Sequence, residues 1–332
     1  MGTSYTLRFY ASDELSETQT LELFKQVEEE LALVNRQMST YDPESELSRF
    51  NAQGKSEWFE VSGDLANVVG LANEVSTKTS GAFDVTVGPL VDLWGFGPDG
   101  RPEQVPDAKS VKSALKLVGY EAVESRSSPG GLKKEDPKTR VDLSAIAKGH
   151  GVDRVCDLFE AAGIESYFVE IGGEVRTKGG KPDGEPWRVG IQNPTVEQVD
   201  APLRILELED LALATSGNYR NFYFRDGKFF SHTIDPGTGF PVKHRIVSAS
   251  VVAEECALAD AVATAMMTLG FERGLEVAEK ENWAVFLVTL GQDGQMVLAA
   301  SSEFKKHFPD FDLSSPSLTS KSDQSKAEAT PH

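Results

Sequence analysis

Short strand-like segments in the second half of the chain limit the possible folds more than any other feature of this sequence. They are rich in β-branched and aromatic residues and are separated by turns of Gly, Asn and Asp, which is a pattern of β-strands. They cover 167–171, 187–191, 204–208, 228–233, 246–252 and 283–289, and a further strand is expected at 3–10. Because they do not alternate strictly with helical patterns, they predict an α+β class in which helices cover layers of sheet.

Four amphipathic patterns predict the helices that pack on these strands. In the first, hydrophobic residues recur at steps of three and four, with Leu21 and Phe24 on the expected inner face. The first pattern begins at Thr18, and the second begins after the cap residue Ser62. The third covers 146–162 and the fourth covers 254–269. A glycine follows the third and the fourth pattern, where helices commonly end.

The chain carries a large negative charge. Among its 332 residues, 33 Lys and Arg stand against 52 Asp and Glu, which gives a formal charge of −19. Such a charge repels the phosphates of nucleic acids and of anionic lipids, so nucleic-acid binding is not expected. An anionic ligand would therefore need a local cation, from a side chain or from a metal.

The segment from Val141 to Gly149 predicts an anion site. It joins a short strand to the start of a helix, and the amide groups of a helix N-terminus favour negative charge. Lys148 adds a positive charge at that place. The alternative interpretation is that Asp142 or Ser144 only caps the helix and that Lys148 lies in solvent.

Asp260 and Thr264 predict a site for a hard cation. They are four residues apart on the fourth helix and therefore share a face. A carboxylate and a hydroxyl suit Mg²⁺, which completes its shell with phosphate oxygens and water. No His or Cys joins them, and this disfavours zinc. The alternative is a surface Asp and a Thr bonded back to its own helix.

His232 is the histidine with the strongest sign of function. It follows a predicted strand, stands among turn residues, and has a second glycine-rich segment, 214–219, shortly before it. A single histidine is more often structural than catalytic, so these residues alone leave both roles open.

Seven blocks in order resemble the ApbE family, the FAD:protein FMN transferases. The blocks are 38–51, 81–97, 141–149, 169–179, 214–222, 231–241 and 257–267. The resemblance runs from Met1 to about Phe308 and implies a layered α+β fold of mixed or antiparallel sheets, with a ligand groove between the layers. Residues 1–312 would form one domain, or two intertwined subdomains. Residues 313–332 are polar with almost nothing to bury and are expected to be disordered.

The resemblance also implies an activity. This is the Mg²⁺-dependent transfer of the FMN moiety of FAD to a threonine hydroxyl of a redox or respiratory acceptor protein, through a phosphoester bond and with release of AMP. The positions that match the family's FAD-binding residues are Met1, Tyr41, Ala82, Phe83, Asp84, Asp142 and Lys148. The positions that match its Mg²⁺ ligands are Asp260, Thr264 and the backbone carbonyl of Ala145, and His232 matches the proposed general base.

The types of these residues suit those roles. Tyr41 and Phe83 could form flat apolar walls for a ring. The carboxylates of Asp84 and Asp142 could accept hydrogen bonds from flavin or adenosine groups.

Two other functions would use the same site. An FAD pyrophosphatase would use water as the nucleophile and yield FMN and AMP, and a flavin-binding or delivery protein would hold FAD without chemistry. Family members are usually exported and often lipid-anchored behind a leader, whereas this chain begins at the family's first block. We therefore expect a periplasmic protein whose leader has been removed, with a cytoplasmic member as the alternative. Membrane contact is expected only through a lipid anchor or the acceptor.

Overall fold

The structure, a computed structural model, describes residues 2–11, 15–97, 104–194, 202–218, 222–225 and 228–315. The strands in these ranges are β1 (Tyr5–Tyr10), β2 (Phe59–Glu60), β3 (Val123–Ser127), β4 (Gly130–Lys134), β5 (Ser166–Ile171), β6 (Glu174–Lys178), β7 (Trp187–Gln192), β8 (Pro202–Leu208), β9 (Ala212–Gly217), β10 (Phe222–Arg225), β11 (Lys228–Ser231), β12 (Ile246–Ala253), β13 (Ala284–Leu290) and β14 (Met296–Ala300). The helices are α1 (Glu17–Met38), α2 (Glu46–Ala52), α3 (Gly63–Lys78), α4 (Gly88–Leu93), α5 (Ala108–Leu115), α6 (Ala147–Ala161), α7 (Cys256–Leu269), α8 (Phe271–Glu281) and α9 (Ser302–His307), with a 3₁₀ turn at Tyr120–Ala122.

A seven-stranded sheet forms the centre of the fold. Its strands follow the order β1-β5-β6-β9-β12-β13-β14, and each neighbouring pair is antiparallel. Smaller sheets are built from β2-β4-β3, from β7-β8 and from β10-β11. The predicted α+β class with antiparallel sheets flanked by helices is thus confirmed.

The helix α7 lies at the centre of the helical layer. It contacts β9 and β12 of the main sheet and the helices α3, α6 and α8. Ten of its 14 residues are buried, and five of these are alanines, whose small side chains let the sheet and helices approach closely. Asp260 is the one charged residue in that buried set. A buried charge needs partners, so the residues around Asp260 indicate where a functional site lies.

The four predicted helices are confirmed as α1, α3, α6 and α7, and Ser62 caps α3 by accepting a hydrogen bond from the Leu65 amide. The inner face of α1 differs from the prediction. Leu21 is 62% exposed and Phe24 is 40% exposed, whereas Leu23 and Val27 are buried. Successive residues turn by about 100° around a helix, so when Leu23 faces the core the neighbouring Phe24 points away from it.

The strand predicted just before α6 does not form. The amide of Val141 instead donates to Asn51 Oδ1 at 2.8 Å, and the Asn51 amide group donates back to the Val141 carbonyl at 2.8 Å. The Asp142 amide donates to the Val85 carbonyl at 2.7 Å. These bonds satisfy the backbone without a sheet partner, and they place 141–145 beside 82–85.

The first residues of the predicted tail are held on the fold. Leu313 packs against a cluster of buried residues that includes Leu206 of β8 and Phe286 of β13. Arg204 donates to the carbonyls of Asp312 and Ser314. Residues 316–332 lie outside the described residues. In the part of the chain that the structure describes, no helix has both the length and the apolar character needed to cross a bilayer.

Candidate active site

A cavity of about 420 Å³ brings most of the predicted site residues together. Its volume lies in the range of small-molecule sites. The predicted residues that line it are Ala82, Phe83, Asp84, Asp142, Ala145, Lys148, His232, Asp260 and Thr264. Tyr41 is not among the lining residues and is 77% exposed, and Met1 lies outside the described residues.

The crossing of α6 and α7 sets one wall of this cavity. A Cβ atom at Gly149 would lie only 2.4 Å from the Cys256 carbonyl oxygen, so the helices could not approach this closely with any other residue there. Asp153 of α6 accepts hydrogen bonds from the amides of Cys256 and Ala257, at 2.9 and 2.8 Å, and so caps α7. Arg176 pairs with the same carboxylate at 2.8 Å. The start of α7 is therefore fixed on α6.

Asp260 is held in place by this crossing. It is 3% exposed, and its Oδ2 atom accepts a hydrogen bond of 3.1 Å from the Gly149 amide. Thr264 follows one turn later on α7, with its hydroxyl 3.3 Å from the Ser216 hydroxyl of β9. The sequence pattern that put both side chains on one face is confirmed.

The oxygen atoms around Asp260 fit a hard cation. Asp260 and Thr264 line the cavity together with Ala145, whose carbonyl accepts no hydrogen bond from the described residues. Within the described ranges, no three His, Cys, Asp or Glu side chains are grouped as metal ligands. A cation here would thus have one carboxylate, a hydroxyl and a carbonyl from the protein, and would complete its shell with ligand oxygens and water. This donor set suits Mg²⁺.

Lys148 is an ion-pair partner rather than a solvated lysine. Its Nζ atom lies 2.6 Å from Glu174 Oε1 and 3.6 Å from Asp260 Oδ1. Burial opposes the charge on Lys148, but Asp260 and Glu174 outweigh burial and raise its pKa. The alternative that left Lys148 in solvent is therefore wrong, and its charge is shared with two carboxylates.

Glu174 is a site residue that the sequence analysis did not single out. It is the first residue of β6, directly after the turn at Gly172 and Gly173, and it lines the cavity. Burial raises the pKa of its carboxyl group, and the nearby charge of Asp260 adds to this, while Lys148 opposes it. The only local signal was a carboxylate behind two turn glycines, which does not reveal a partner 26 positions earlier in the chain.

Phe83 does not present an open ring to the cavity. It is 2% exposed and packs in the main core cluster, and its amide donates to Thr79 Oγ1 at 3.2 Å. The core covers most of this ring, and the flat wall expected at Phe83 stays a prediction. Phe96 also lines the cavity, and its ring centroid lies 6.3 Å from that of His232.

Asp84 and Asp142 both use one or more oxygens within the protein. Asp84 Oδ1 accepts from the amide and the hydroxyl of Thr86, at 2.7 and 2.6 Å, and its Oδ2 accepts from the Tyr120 amide at 2.9 Å. Burial raises the pKa of Asp84, and the bonds from Thr86 oppose that rise. Asp142 Oδ1 accepts from the Ser144 amide at 2.8 Å. Asp142 thus shapes the loop before α6, whose N-cap position is Ile146.

His232 directly follows β11 and lines the cavity. Asn218, at the end of β9, holds this region together because its Oδ1 accepts from the hydroxyls of Ser231 and Thr233, at 2.7 and 2.6 Å. Both turn-rich segments noted in the sequence therefore meet, and His232 lies between two residues bonded to the same amide oxygen. Sequence reasoning missed Asn218, although it stands in the glycine-rich block.

Comparison with known proteins identifies the family. The model of the ApbE family matches residues 1–287. The chain belongs to the ApbE family. A relative from Vibrio cholerae named FAD:protein FMN transferase is 44% identical over 302 residues, covering 91% of this chain and 89% of the relative. One of the same name from Haemophilus influenzae is 41% identical over 310 residues, covering 92% and 89%.

Solved ApbE structures share the fold. The flavin transferase ApbE from Vibrio cholerae superposes with a TM-score of 0.83 at 44% identity, over 92% of this chain and 96% of that one. The apo form of the Pseudomonas stutzeri flavinyl transferase ApbE gives 0.84 at 36% identity, over 94% and 95%. The predicted ApbE fold is confirmed, and so is the prediction of an enzyme, since the relatives are transferases by name.

Proposed function

We propose that this chain transfers the FMN moiety of FAD to a threonine hydroxyl of an acceptor protein, with release of AMP and with Mg²⁺ as the metal. One observation carries the proposal: oxygen atoms of the types that suit a hard cation and a histidine line the same cavity, whose volume lies in the range of small-molecule sites. The names of the relatives support flavin transfer.

The reaction exchanges the phosphoanhydride bond of FAD for a phosphoester bond. The threonine oxygen forms a bond to the phosphorus on the FMN side of the pyrophosphate, and the bond from that phosphorus to the bridging oxygen breaks. AMP leaves with this oxygen. Reactions of this kind depend mainly on positioning and on neutralising charge. A bound Mg²⁺ would supply positive charge to the phosphate oxygens.

The residues of the chain have separate tasks in this scheme. A ring nitrogen of His232 takes the threonine proton, a step that contributes typically ~10²–10⁴-fold in rate. Asp260, Thr264 and the Ala145 carbonyl hold the cation. Asp84 and Asp142 keep the loops at the cavity in shape and offer acceptor oxygens to FAD.

The acceptor and the location are proposed by analogy with the family. We propose an acceptor that is a redox or respiratory subunit carrying the modified threonine, and a periplasmic location. Contact with a membrane would come only from a lipid anchor or from the acceptor. The chain's formal charge of −19 argues against nucleic acid as a partner.

The test is incubation of the purified chain with FAD, Mg²⁺ and a candidate acceptor, followed by intact-mass analysis. We expect the acceptor to gain the mass of one FMN group, and an acceptor with the threonine replaced by alanine to gain none. FMN and AMP without a modified acceptor would identify a pyrophosphatase. FAD that stays bound and intact would identify a binding protein.

A further inference from the structure

Lys148 stands between two carboxylates and lies nearer to one of them. Its Nζ atom is 2.6 Å from Glu174 Oε1 but 3.6 Å from Asp260 Oδ1. The stem of Lys148 is packed as well, because a Cβ atom at Gly172 would lie 3.3 Å from Lys148 Cδ. The turn before β6 therefore delivers Glu174 and supports the lysine that Glu174 binds.

Glu174 is buried at a cost that needs a reason. Its side chain is only 5% exposed, and its Oε2 atom is buried with no hydrogen-bond partner among the described residues. A buried carboxylate with an unsatisfied oxygen lowers stability. Lys148 is the cation that Glu174 contacts among the described residues. We therefore look for the role of Glu174 in its effect on Lys148.

We propose that Glu174 is a positioning residue that draws the Lys148 ammonium toward itself, weakens its pairing with Asp260 and so leaves Asp260 more available to a divalent cation. This rests on the proposed function, because that function assigns the cation to Asp260. An ammonium group and a metal ion compete for one carboxylate. Without the charge of Glu174, Asp260 becomes the nearest charge partner of Lys148.

The charge balance gives the direction of the effect. When Glu174 is ionised, two carboxylates and one ammonium leave one negative charge to attract the metal, whereas Glu174→Gln leaves none. Two unit charges a few ångströms apart in a partly buried site interact by more than the free energy that changes a dissociation constant tenfold. We therefore expect Glu174→Gln to raise the Kd for Mg²⁺ by about tenfold or more.

A double variant separates positioning from direct ligation. Replacing both groups, as Lys148→Met with Glu174→Gln, removes the competing ammonium and leaves Asp260 with its own charge. If Glu174 acts through Lys148, this pair recovers a Kd near that of the unchanged chain. If Glu174 is itself a metal ligand, the pair stays as weak as Glu174→Gln.

The measurement is calorimetric titration of Mg²⁺ alone into the metal-stripped full chain, with melting curves to check folding. Glu207→Gln, on the exposed side of β8, is the control for losing one carboxylate and should leave the Kd unchanged. Should Glu174→Gln not fold, Lys148→Met alone must bind Mg²⁺ at least as tightly as the unchanged chain.

Each outcome decides the matter. A weaker Glu174→Gln with recovery in the double variant supports the inference. An unchanged Kd for Glu174→Gln, a double variant that stays weak, or a weaker Lys148→Met overturns it and leaves the proposed transfer standing. Failure of the unchanged chain to bind Mg²⁺ overturns both the inference and the metal of the proposed function.

Discussion

The amide of Gly149 on α6 donates a hydrogen bond of 3.1 Å to Asp260 Oδ2 on α7. The same close approach leaves no room for a side chain, because a Cβ at Gly149 would lie 2.4 Å from a backbone oxygen of α7. The bond also turns an amide of the first helical turn toward a carboxylate, where it stabilises the negative charge. The orientation of the site carboxylate thus depends on a residue that has no side chain.

Gly149→Ala should therefore lower both stability and activity. We expect the free energy of unfolding to fall by about 1–3 kcal/mol, the range for overpacking a core, and flavin transfer to fall because Asp260 moves with α7. Urea unfolding measures the first effect and the transfer assay the second. Gly54→Ala is the control, since a Cβ there meets nothing within 4 Å. Equal unfolding midpoints for both variants would contradict the prediction.

Asp260→Ala should abolish Mg²⁺-dependent transfer while the fold persists. In the proposed function this residue supplies the charged protein ligand of the cation. Its removal leaves the Gly149 amide without its acceptor, but Lys148 keeps Glu174 as its ion-pair partner, so the loss of stability should be small enough for the fold to persist. Mass analysis of the acceptor and a melting curve provide the two readouts. Asp157→Asn, in a partly exposed ion pair with Arg154, should transfer normally. Full transfer by folded Asp260→Ala would reject the cation assignment.

His232→Ala should separate binding from chemistry. FAD affinity should stay close to that of the unchanged chain, whereas transfer should fall by about 10²-fold or more, as expected when a general base is lost. Fluorescence titration with FAD and single-turnover transfer test the two parts. A parallel collapse of FAD affinity would make His232 chiefly a binding residue.

His150 should make stability depend on pH. It is half-buried on α6, near Asp64, Arg154 and Glu30, and the desolvation of its ring lowers its pKa from 6.5 to about 4. Between these values the unfolded chain binds more protons than the folded one, so the free energy of unfolding falls as the pH is lowered. The contribution of this residue is up to about 3 kcal/mol, present above the unfolded pKa and lost on the way down to the folded pKa.

The measurement for His150 is urea unfolding at several pH values across that window. His150→Gln should show a shallower fall in the free energy of unfolding than the unchanged chain. Parallel curves for the two proteins would mean that His150 does not carry this dependence.

Local signals predicted the main elements of the fold. The predicted helix 146–162 is observed as Ala147–Ala161, and 254–269 as Cys256–Leu269, because caps and terminal glycines act within a few residues. The chain after Gly270 was harder to predict. Gly270 ends α7 and is also the N-cap of α8. The glycine that predicted the end of one helix gave no sign that another helix begins at the same residue.

The site was predictable as a set of residues but not in its pairings. The family blocks contain nearly all of the lining residues. Which lining residues form ion pairs, and which aromatic rings are buried in the core, depends on partners far away in the chain. Lys148 with Glu174 and Phe83 in the main core are such cases, because no periodicity or spacing records a contact between distant segments.

The N-terminal strand enters the sheet right beside the cation set. The Gly172 amide donates to the Ser4 carbonyl at 3.1 Å, and a Cβ at Gly172 would lie 3.0 Å from the Thr3 side chain as well as near Lys148. The first described residues of the chain therefore lie beside a turn that lines the cavity. For protein production, an affinity tag is therefore better placed after His332, since residues 312–315 leave the fold beside β8 and β14, away from this turn.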